Sequence, residues 1–305
     1  MVTPSVEEFL TQRPRLFGLA YRMLGDAGEA EDVVQDAYLR WAGADRAEIV
    51  YPRGWLMKVV TNLCFNRLTS ARARRESYIG PWLPEPVLTA DGELGPLETV
   101  EQRDSVSLAL LSLMERLTPV ERAVFVLREA FAYSHRQIAE FLDVSEANSR
   151  QLHGRARQHL GAMRPRFEPD RAQWRQFVES FLAAARGGDV AELRELLAAD
   201  VTATADGGGK VGAARRTVVG RDRVARYLAG ALTRFAPTSP ALFLAEVNGG
   251  PAVLGFADGQ LLGVLSLEIV DGQVSAVHIV ANPDKLVFVA RQFEAVSHLG
   301  TPLGS

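Results

Sequence analysis

Arginine and histidine side chains, which can read base edges and neutralise phosphates, are concentrated between residues 146 and 166. This stretch holds five arginines and two histidines against a single acid, Glu146. If it is a helix, its first turns can face base edges in a DNA major groove while its later arginines contact phosphates. The candidate contact residues are Ser145, Glu146, Asn148, Ser149, Arg150, Gln151, His153, Arg155 and Arg157.

A shorter helix that would position the basic one is predicted immediately before it. Its apolar stripe at helical spacing consists of Ile138, Ala139, Phe141 and Leu142. The turn would fall at 143–144, and Ser145 suits the N-cap of the basic helix. Two short helices joined by a tight turn, the second of them basic, are typical of a helix-turn-helix that reads DNA. The alternative is an amphipathic surface helix with a solvated charged face.

A second basic run lies at 52–75 and contains six basic residues and no acid. Helical periodicity would bury Leu56, Val59, Val60 and Leu63 and gather polar residues on the opposite side. Asparagine can bond base edges, and an aromatic ring can stack on an unpaired base, although core packing is the alternative for Trp55 and Phe65. The candidates are Trp55, Lys58, Thr61, Asn62, Phe65, Asn66 and Arg67.

The segment 30–41 predicts an amphipathic helix with an exposed stripe that could bind a partner. Its buried face would hold Ala30, Val33, Val34, Ala37 and Trp41. Asp32, Asp36 and Arg40, each four residues apart, would lie on the exposed stripe.

Composition limits the class of protein. The chain has 305 residues and a net charge of only −3, so several units are expected and any nucleic-acid binding must come from local patches. The single cysteine, Cys64, excludes an internal disulfide and a Cys-based zinc site, which fits a reducing cytosol. No apolar run approaches the length of a membrane span, so a soluble, cytoplasmic protein is expected.

The chain changes character twice. Residues 76–104 carry four prolines, three glycines and seven acids, which predicts an acidic, partly extended linker. Beyond residue 165, two helices are followed by short strand-like runs with turn signals at 248–250, 258–259 and 271–272. Helices followed by hairpin strands predict an α+β domain with a curved antiparallel sheet.

The motifs AEDVVQDAYLRW, PRGWLMKVVTNLCFNRL and the helix-turn-helix, in this order, resemble an extracytoplasmic-function (ECF) RNA polymerase sigma factor. The resemblance implies two all-α domains: region 2 at 1–75 and region 4 at 105–166. It implies that Asp32, Gln35, Asp36, Leu39 and Arg40 bind core RNA polymerase. It also implies that the run at 52–75 reads the −10 element of promoter DNA, that the loop 43–53 captures a flipped base, and that the helix from Glu146 reads the −35 element.

Later in the chain stand the motifs FLAAARGGDVAELRELLAADVTATADGGGK, RTVVGRDRVARYL and NPDKL (282–286). On these motifs, residues 168–290 resemble a SnoaL-like domain of the NTF2-like cone fold, with a tail at 291–305. The linker also contains the motif WLPEP at 82–86. With this motif, the fusion is similar to the ECF41 (SigJ-like) group. The resemblance implies regulation in cis, with the added domain docked on the linker or region 2 in place of an anti-sigma protein. The implied docking residues are Trp82, Leu83, Pro84, Glu85, Pro86, Asp206, Gly207, Gly208, Gly209, Lys210, Asn282, Pro283, Asp284, Lys285 and Leu286.

No catalytic, cofactor or metal site is predicted. Candidate acid–base residues of the added domain are Asp206, Arg215, Glu246, Asp258 and His278, but their spacing does not demand catalysis, and a small apolar ligand could occupy the cone. Two alternatives remain open at this point. One is a helix-turn-helix repressor that senses a small molecule through the cone; the other is an NTF2-like isomerase or cyclase tethered to DNA.

Overall fold

A computed structural model describes residues 4–45, 48–89, 94, 102–103, 105–161, 171–235, 240–295 and 301–302. The chain divides into two compact units. The first comprises Met1–Ser77 and Thr89–Met163, and the second comprises Tyr78–Leu88 and Arg164–Ser305. The beginning of the acidic linker therefore belongs to the C-terminal unit. None of the described helices is both long and apolar enough to cross a membrane.

The N-terminal unit begins with α1 (Pro4–Leu24), α2 (Ala27–Gly43) and α3 (Pro52–Glu76), which pack on one another. Helix α2 starts after Asp26, whose carboxylate accepts a hydrogen bond from the Glu29 backbone N–H at 2.8 Å. This N-cap satisfies one of the backbone donors that a helix start leaves open. The apolar face predicted for α2 is confirmed, because Ala30, Val33, Val34, Ala37 and Trp41 are all buried.

The same unit continues with α4 (Leu108–Met114), α5 (Pro119–Glu129), α6 (His135–Leu142) and α7 (Glu146–Leu160). Each of these helices has an N-cap hydroxyl that accepts a hydrogen bond from a backbone N–H of the first turn. The N-cap residues are Ser107, Thr118, Ser134 and Ser145. Helix α6 ends at Asp143, which is left-handed (φ 53°, ψ 44°) and turns the chain into α7. The predicted helix-turn-helix and its N-cap at Ser145 are confirmed.

The C-terminal unit opens with α8 (Arg171–Gly187) and α9 (Val190–Leu196) and then forms a sheet. Helix α10 (Arg221–Phe235) and helix α11 (Pro283–Ala295) interrupt and follow the main strands. The strands are β1 (Leu197–Asp206), β2 (Val218–Val219), β3 (Ala241–Val247), β4 (Gly250–Ala257), β5 (Gln260–Val270), β6 (Gln273–Val280) and β7 (Thr301–Pro302).

The described strands pair in the order β2-β1-β6-β5-β4-β3-β7. The hairpin turns are confirmed: Asn248, Asp258 and Asp271 have positive φ and each precedes a glycine that also has positive φ. Two successive positive φ values give the turn whose twist suits a tight hairpin. The expected all-antiparallel sheet is wrong at one pair, because β1 and β6 run parallel. The chain between them forms α10 and four further strands, and this long connection lets β1 and β6 become neighbours despite their distance in sequence.

The sheet is covered on both faces. Helices α8, α9 and α10 contribute Phe181, Leu193 and Leu228 to one core, which also contains Leu265 and Val277 from the sheet. The opposite core joins strand residues to α11 and to two residues of the linker, Leu83 and Leu88. The part of the linker that carries Leu83 and Leu88 therefore belongs to this second core.

Candidate nucleic-acid interface

Helix α7 presents a polar, basic surface to solvent. Six of its predicted contact residues are exposed: Ser145, Asn148, Arg150, Gln151, Arg155 and Arg157. Arg150 is paired with Glu146 one turn earlier, and both side chains remain partly exposed. Arg155 and Arg157 have no ion pair within the described part of the chain. Their guanidinium groups therefore present the planar donors that match phosphates and guanine edges.

Two predicted contact residues of α7 face inward instead. Ser149 is fully buried, and its hydroxyl lies 3.0 Å from His135 Nδ1. His153 Nε2 lies 2.7 Å from Glu129 Oε1, and this hydrogen bond lowers the pKa of Glu129. Burial, reinforced by the neighbouring His153, lowers the pKa of His135. The prediction that Ser149 and His153 lie on the exposed face is therefore wrong, because both hold α7 against α5 and α6.

Helix α3 carries a narrower polar strip than its periodicity predicts. Asn62 and Asn66 are exposed, while Lys58 and Phe65 are half-buried. Thr61 was expected beside them, but its side chain is fully buried and its hydroxyl donates to the Met57 carbonyl at 2.8 Å. The reason is that α3 packs against both α1 and α2 and also contacts α5 and α6.

Aromatic packing accounts for part of the remaining candidates on α3. Trp55 is half-buried, and its ring lies 5.8 Å from that of buried Trp41 on α2. Trp55 therefore anchors α3 on α2 with one part of its ring and leaves another part exposed. Phe65 is half-buried as well, so core packing accounts for only part of the surface of each of these two side chains.

Arg67 joins the two predicted binding surfaces of the first helices. Its guanidinium lies 2.8 Å from Asp36, 3.0 Å from Glu29 and 3.4 Å from Asp32. Arg67 was predicted to contact DNA, and the two aspartates were predicted to contact a protein partner. The structure brings them into one ion-pair cluster. The rest of the α2 stripe is open, since Gln35, Leu39 and Arg40 are exposed, with Leu39 at 62 %.

Buried arginines hold the helical unit together, and sequence reasoning missed them. Arg22 is fully buried and donates to Ser105 Oγ at 2.7 Å and to the Leu94 carbonyl at 2.8 Å. Burial lowers its pKa to about 9, which leaves it charged at neutral pH. Arg122 donates to the Met23 carbonyl at 2.7 Å and thereby ties α5 to the end of α1. The only sequence signal was an arginine inside an otherwise apolar helical face.

In the C-terminal unit, the predicted docking residues converge on one buried carboxylate. Asp206, at the end of β1, is fully buried. Its oxygens accept hydrogen bonds from the Tyr78 hydroxyl at 2.5 Å, the Leu83 backbone N–H at 2.9 Å and Lys285 Nζ at 2.7 Å. The Gly208 N–H donates as well, at 3.0 Å. Each acceptor position that the buried charge needs is therefore filled, and two of the donors belong to the linker.

Lys285, on α11, is the cation of this site. Besides Asp206, its ammonium group donates to the Leu83 carbonyl at 2.5 Å. It also lies 4.3 Å from the centre of the Trp82 ring and 4.8 Å from that of Tyr78. Two aromatic faces and two oxygens thus replace the water that a buried ammonium loses. We call Tyr78, Trp82, Leu83, Asp206 and Lys285 the linker lock.

Asn282 and the glycine run at 207–209 complete the lock. Asn282 Nδ2 donates to the Tyr78 oxygen at 2.8 Å, and burial together with the bond to Asp206 raises the Tyr78 pKa, so the phenol stays a neutral donor. A Cβ on Gly208 would lie 2.4 Å from Asn282, and one on Gly209 would lie 3.0 Å from Ile79. Both glycines have positive φ. The glycines are therefore required by the close approach of these neighbours.

Two further linker contacts involve residues that the sequence did not suggest. Asn248, in a hairpin turn, accepts the Val87 N–H at 3.1 Å and donates its own N–H to the Val87 carbonyl at 3.0 Å. Gln292 Oε1 accepts the Leu88 N–H at 2.9 Å. Of the other predicted docking residues, Pro84, Pro86 and Leu286 are buried, Glu85 is half-buried, Pro283 is exposed, and Lys210 forms an exposed ion pair with Asp284 at 2.7 Å.

Comparison with known proteins identifies the chain. Family models for Sigma-70 region 2 and Sigma-70, region 4 match residues 9–74 and 107–160. Over 290 residues the chain is 39 % identical to the ECF RNA polymerase sigma factor SigJ of Mycobacterium tuberculosis, covering 92 % of each protein. The chain belongs to the ECF RNA polymerase sigma factors.

Two more comparisons agree with this assignment. The sigma factor is 36 % identical over 276 residues to the probable ECF RNA polymerase sigma factor SigI of Mycobacterium tuberculosis, covering 90 % of this chain and 92 % of that protein. The crystal structure of Mycobacterium tuberculosis SigJ superposes with a TM-score of 0.73 at 36 % identity, covering 93 % of this chain and 98 % of that one. The predicted fold, two helical sigma domains followed by an α+β SnoaL-like domain, is confirmed.

The SnoaL-like domain of this sigma factor contains a cavity of about 790 Å³. None of the described residues that line it is an aspartate, glutamate or histidine. Asp206 is committed to the linker lock, and His278 pairs with Glu268 at 3.2 Å on the sheet face opposite Val277 and Ile279. Arg215, Glu246 and Asp258 do not line the cavity either. Among the described lining residues, the only side chains with polar atoms are therefore those of Arg226 and Tyr227.

Proposed function

We propose that this sigma factor reads the −35 element with the exposed face of α7. The single observation that carries the assignment is the exposed set Asn148, Arg150, Gln151 and Arg155 in the first half of a capped helix that follows a tight turn. Arginine and the two amides are the side chains that form bidentate bonds to guanine and adenine in a major groove. Arg157, further along the same helix, suits a phosphate.

The −10 element is assigned to α3. Asn62 and Asn66 are exposed one turn apart, and the half-buried Lys58, Trp55 and Phe65 flank them. Melting a promoter exposes unstacked bases, and stacking on an aromatic ring is worth about 1–3 kcal/mol per base. Tyr51 and Val50, in the loop before α3, are exposed at 51 % and 96 % and suit capture of a flipped base.

The exposed stripe of α2 is assigned to core RNA polymerase. Leu39 supplies an apolar anchor, and Asp32, Gln35 and Arg40 supply a polar rim, which is the usual composition of a protein interface. Arg67 is assigned to this surface as well, because it orients Asp32 and Asp36. Binding to polymerase and promoter DNA places the protein in the cytoplasm, where transcription occurs.

These residue assignments are tested with core RNA polymerase and a fluorescent promoter fragment. Arg155→Ala should weaken binding to the wild-type promoter and relax discrimination at one −35 position. Asn62→Ala should weaken binding to the wild-type promoter and relax discrimination at one position of the −10 element instead. Arg136→Ala, an exposed arginine on α6 outside the assigned surface, is the matched control. Equal losses for Arg155→Ala and Arg136→Ala would overturn the assignment of α7.

Cis regulation is assigned to the linker lock, and its sign to inhibition. A linker whose Tyr78, Leu83 and Leu88 are bound to the SnoaL-like domain cannot at the same time follow a basic channel of the polymerase. Tyr78→Phe removes two hydrogen bonds without leaving a buried charge unpaired, so it should raise run-off transcription by full-length protein. Unchanged or reduced transcription with Tyr78→Phe, at an unchanged melting temperature of the SnoaL-like domain, would contradict an inhibitory lock.

The cavity of the SnoaL-like domain is assigned to a small, largely apolar ligand. Its volume lies within the range of about 300–1,000 Å³ that small-molecule sites in proteins occupy. The chain belongs to the sigma factors, so the role assigned to the ligand is regulatory.

A further inference from the structure

The cavity of the SnoaL-like domain has a largely apolar lining with a single charged residue among its described residues. Its lining is formed by apolar side chains and glycines, apart from Arg226 and Tyr227 of α10. Arg226 is the one charged residue among the described residues of the lining. An apolar body with a single anionic group therefore matches the cavity, whereas a cation or a polyol would lose hydration without compensation.

Arg226 is available for such an anion. Its Nε donates to the Asp222 backbone carbonyl one turn earlier, at 3.1 Å. No ion pair of its guanidinium occurs within the described part of the chain, while Asp222 itself pairs with Arg194 at 2.8 Å. The terminal nitrogens of a guanidinium can bind a carboxylate through two parallel hydrogen bonds.

One wall of the cavity belongs to the loop that follows Asp206 of the linker lock. Residues 211–214 line the cavity. A Cβ on Gly207 would lie 2.5 Å from the Val211 carbonyl and 2.9 Å from the Ala213 side chain, so this wall packs tightly on the glycine run. The next glycine contacts Asn282, and Gly209 contacts Ile79 of the linker. Ala205 and Ala281, which also line the cavity, are the immediate neighbours of Asp206 and Asn282.

We propose that the cavity binds an amphipathic monocarboxylate, with its chain in the apolar space and its carboxylate on Arg226, and that binding strengthens the linker lock. The second half rests on the proposed regulatory role of the lock, whereas the first half stands on the cavity alone. A ligand that fills the cavity binds the arrangement in which the loop 211–214 and the glycine run are packed. It therefore shifts the population towards the docked linker.

The ligand class is tested on the full-length protein with the fluorescent anionic probe anilinonaphthalene sulfonate. Decanoate, decanol and decyltrimethylammonium compete for the probe at equal chain length, so that only the head group differs. We expect decanoate to displace it best, and Arg226→Met to weaken decanoate by about tenfold, the range of one charged hydrogen bond, with little effect on decanol. Arg223→Met, an exposed arginine on the same helix that does not line the cavity, is the matched control.

The location of the ligand is tested by filling the cavity. Gly255 lines it, has no positive φ, and has Leu242 Cδ2 as the nearest atom to an added Cβ, at 3.5 Å. Gly255→Leu should therefore abolish decanoate binding while the circular dichroism spectrum and melting temperature are kept. Retained binding in a folded Gly255→Leu protein, or equal binding of the three head groups, would overturn the site.

Coupling to the linker is tested by hydrogen exchange of the amides of Leu83, Val87 and Leu88, which are bonded to the SnoaL-like domain. Saturating decanoate should slow their exchange at least about threefold, and Tyr78→Phe, which favours the undocked linker, should weaken decanoate binding. Bound decanoate with unchanged exchange would overturn the coupling and leave the ligand site standing. Unchanged run-off transcription by Tyr78→Phe would overturn the proposed regulatory role of the lock without affecting either result.

Discussion

Lys58 Nζ lies 2.8 Å from Asp143 Oδ1. Lys58 belongs to the helix assigned to the −10 element, and Asp143 is the left-handed residue that turns the chain into the helix assigned to the −35 element. Lys58, which we assign to DNA binding, is therefore paired with a carboxylate of the same helical unit. Promoter DNA that contacts Lys58 has to replace this pair.

Asp143→Asn should strengthen binding to the −10 element. Asparagine tolerates the left-handed conformation of this position, so the turn is retained while Lys58 loses its partner. Both side chains are exposed, at 37 % and 76 %, and such pairs contribute at most about 1 kcal/mol. We therefore expect a rise of about two- to fivefold in affinity for a single-stranded −10 oligonucleotide, measured by fluorescence anisotropy with core polymerase present. Glu140→Gln, which removes an exposed carboxylate from α6 near Arg136, should leave the affinity unchanged.

The contrast between Arg155 and His153 tests which side of α7 meets DNA. Arg155→Ala should leave the melting temperature unchanged and reduce promoter affinity, with a salt dependence shallower by about one ion if the contact is to phosphate. His153→Ala should lower the melting temperature and leave the promoter affinity of the folded protein unchanged, because it removes the 2.7 Å contact with Glu129 inside the unit. A stable His153→Ala protein with lost promoter binding would show that the inward face is the reading face.

The linker lock predicts unequal effects for two lysines. Lys285→Met leaves Asp206 buried without its cation and should lower the free energy of unfolding of the C-terminal unit by about 3–5 kcal/mol. Lys210→Met removes an exposed pair with Asp284 and should cost less than about 1 kcal/mol. Urea denaturation followed by circular dichroism measures both. Similar small values for the two variants would mean that Asp206 is solvated and that the lock is weak.

The Glu129–His153 pair predicts a dependence of stability on pH. Its hydrogen bond lowers the folded-state pKa of Glu129 from the usual 4.5. A carboxyl with a lowered folded-state pKa adds stability above its unfolded-state pKa, and this is lost as pH falls through the folded-state value. Wild-type protein should therefore be more stable than Glu129→Gln at pH 7, and the difference should shrink below pH 4.5. A difference that stays constant between neutral and acidic pH in urea denaturation would contradict the lowered pKa of Glu129.

Local patterns predicted much of this fold. The N-cap at Ser145, the buried stripe of α2 and the three hairpin turns depend on neighbours within a few residues, so the sequence contains their full cause. The same holds for the exposed basic surface of α7.

The inward positions of Thr61, Ser149 and His153 could not be predicted in this way. Helical periodicity separates faces, but it does not say how many neighbours a helix has, and α3 and α7 each contact more than one. The buried Asp206–Lys285 pair joins residues 79 positions apart, and the parallel pairing of β1 with β6 also joins residues that are distant in sequence. The motifs around Asp206 and Lys285 were predicted to dock. Their convergence on the carboxylate of Asp206 could be seen only in the folded chain.

Run-off transcription with core RNA polymerase tests the central claim most directly. Full-length protein is compared on a promoter and on the same promoter with its −35 element changed, with Arg155→Ala and Arg136→Ala alongside. We predict a transcript that requires both polymerase and this protein, and that falls with the altered element and with Arg155→Ala but not with Arg136→Ala. Promoter binding by the protein without polymerase, together with no transcript above that of core polymerase alone, would contradict the account.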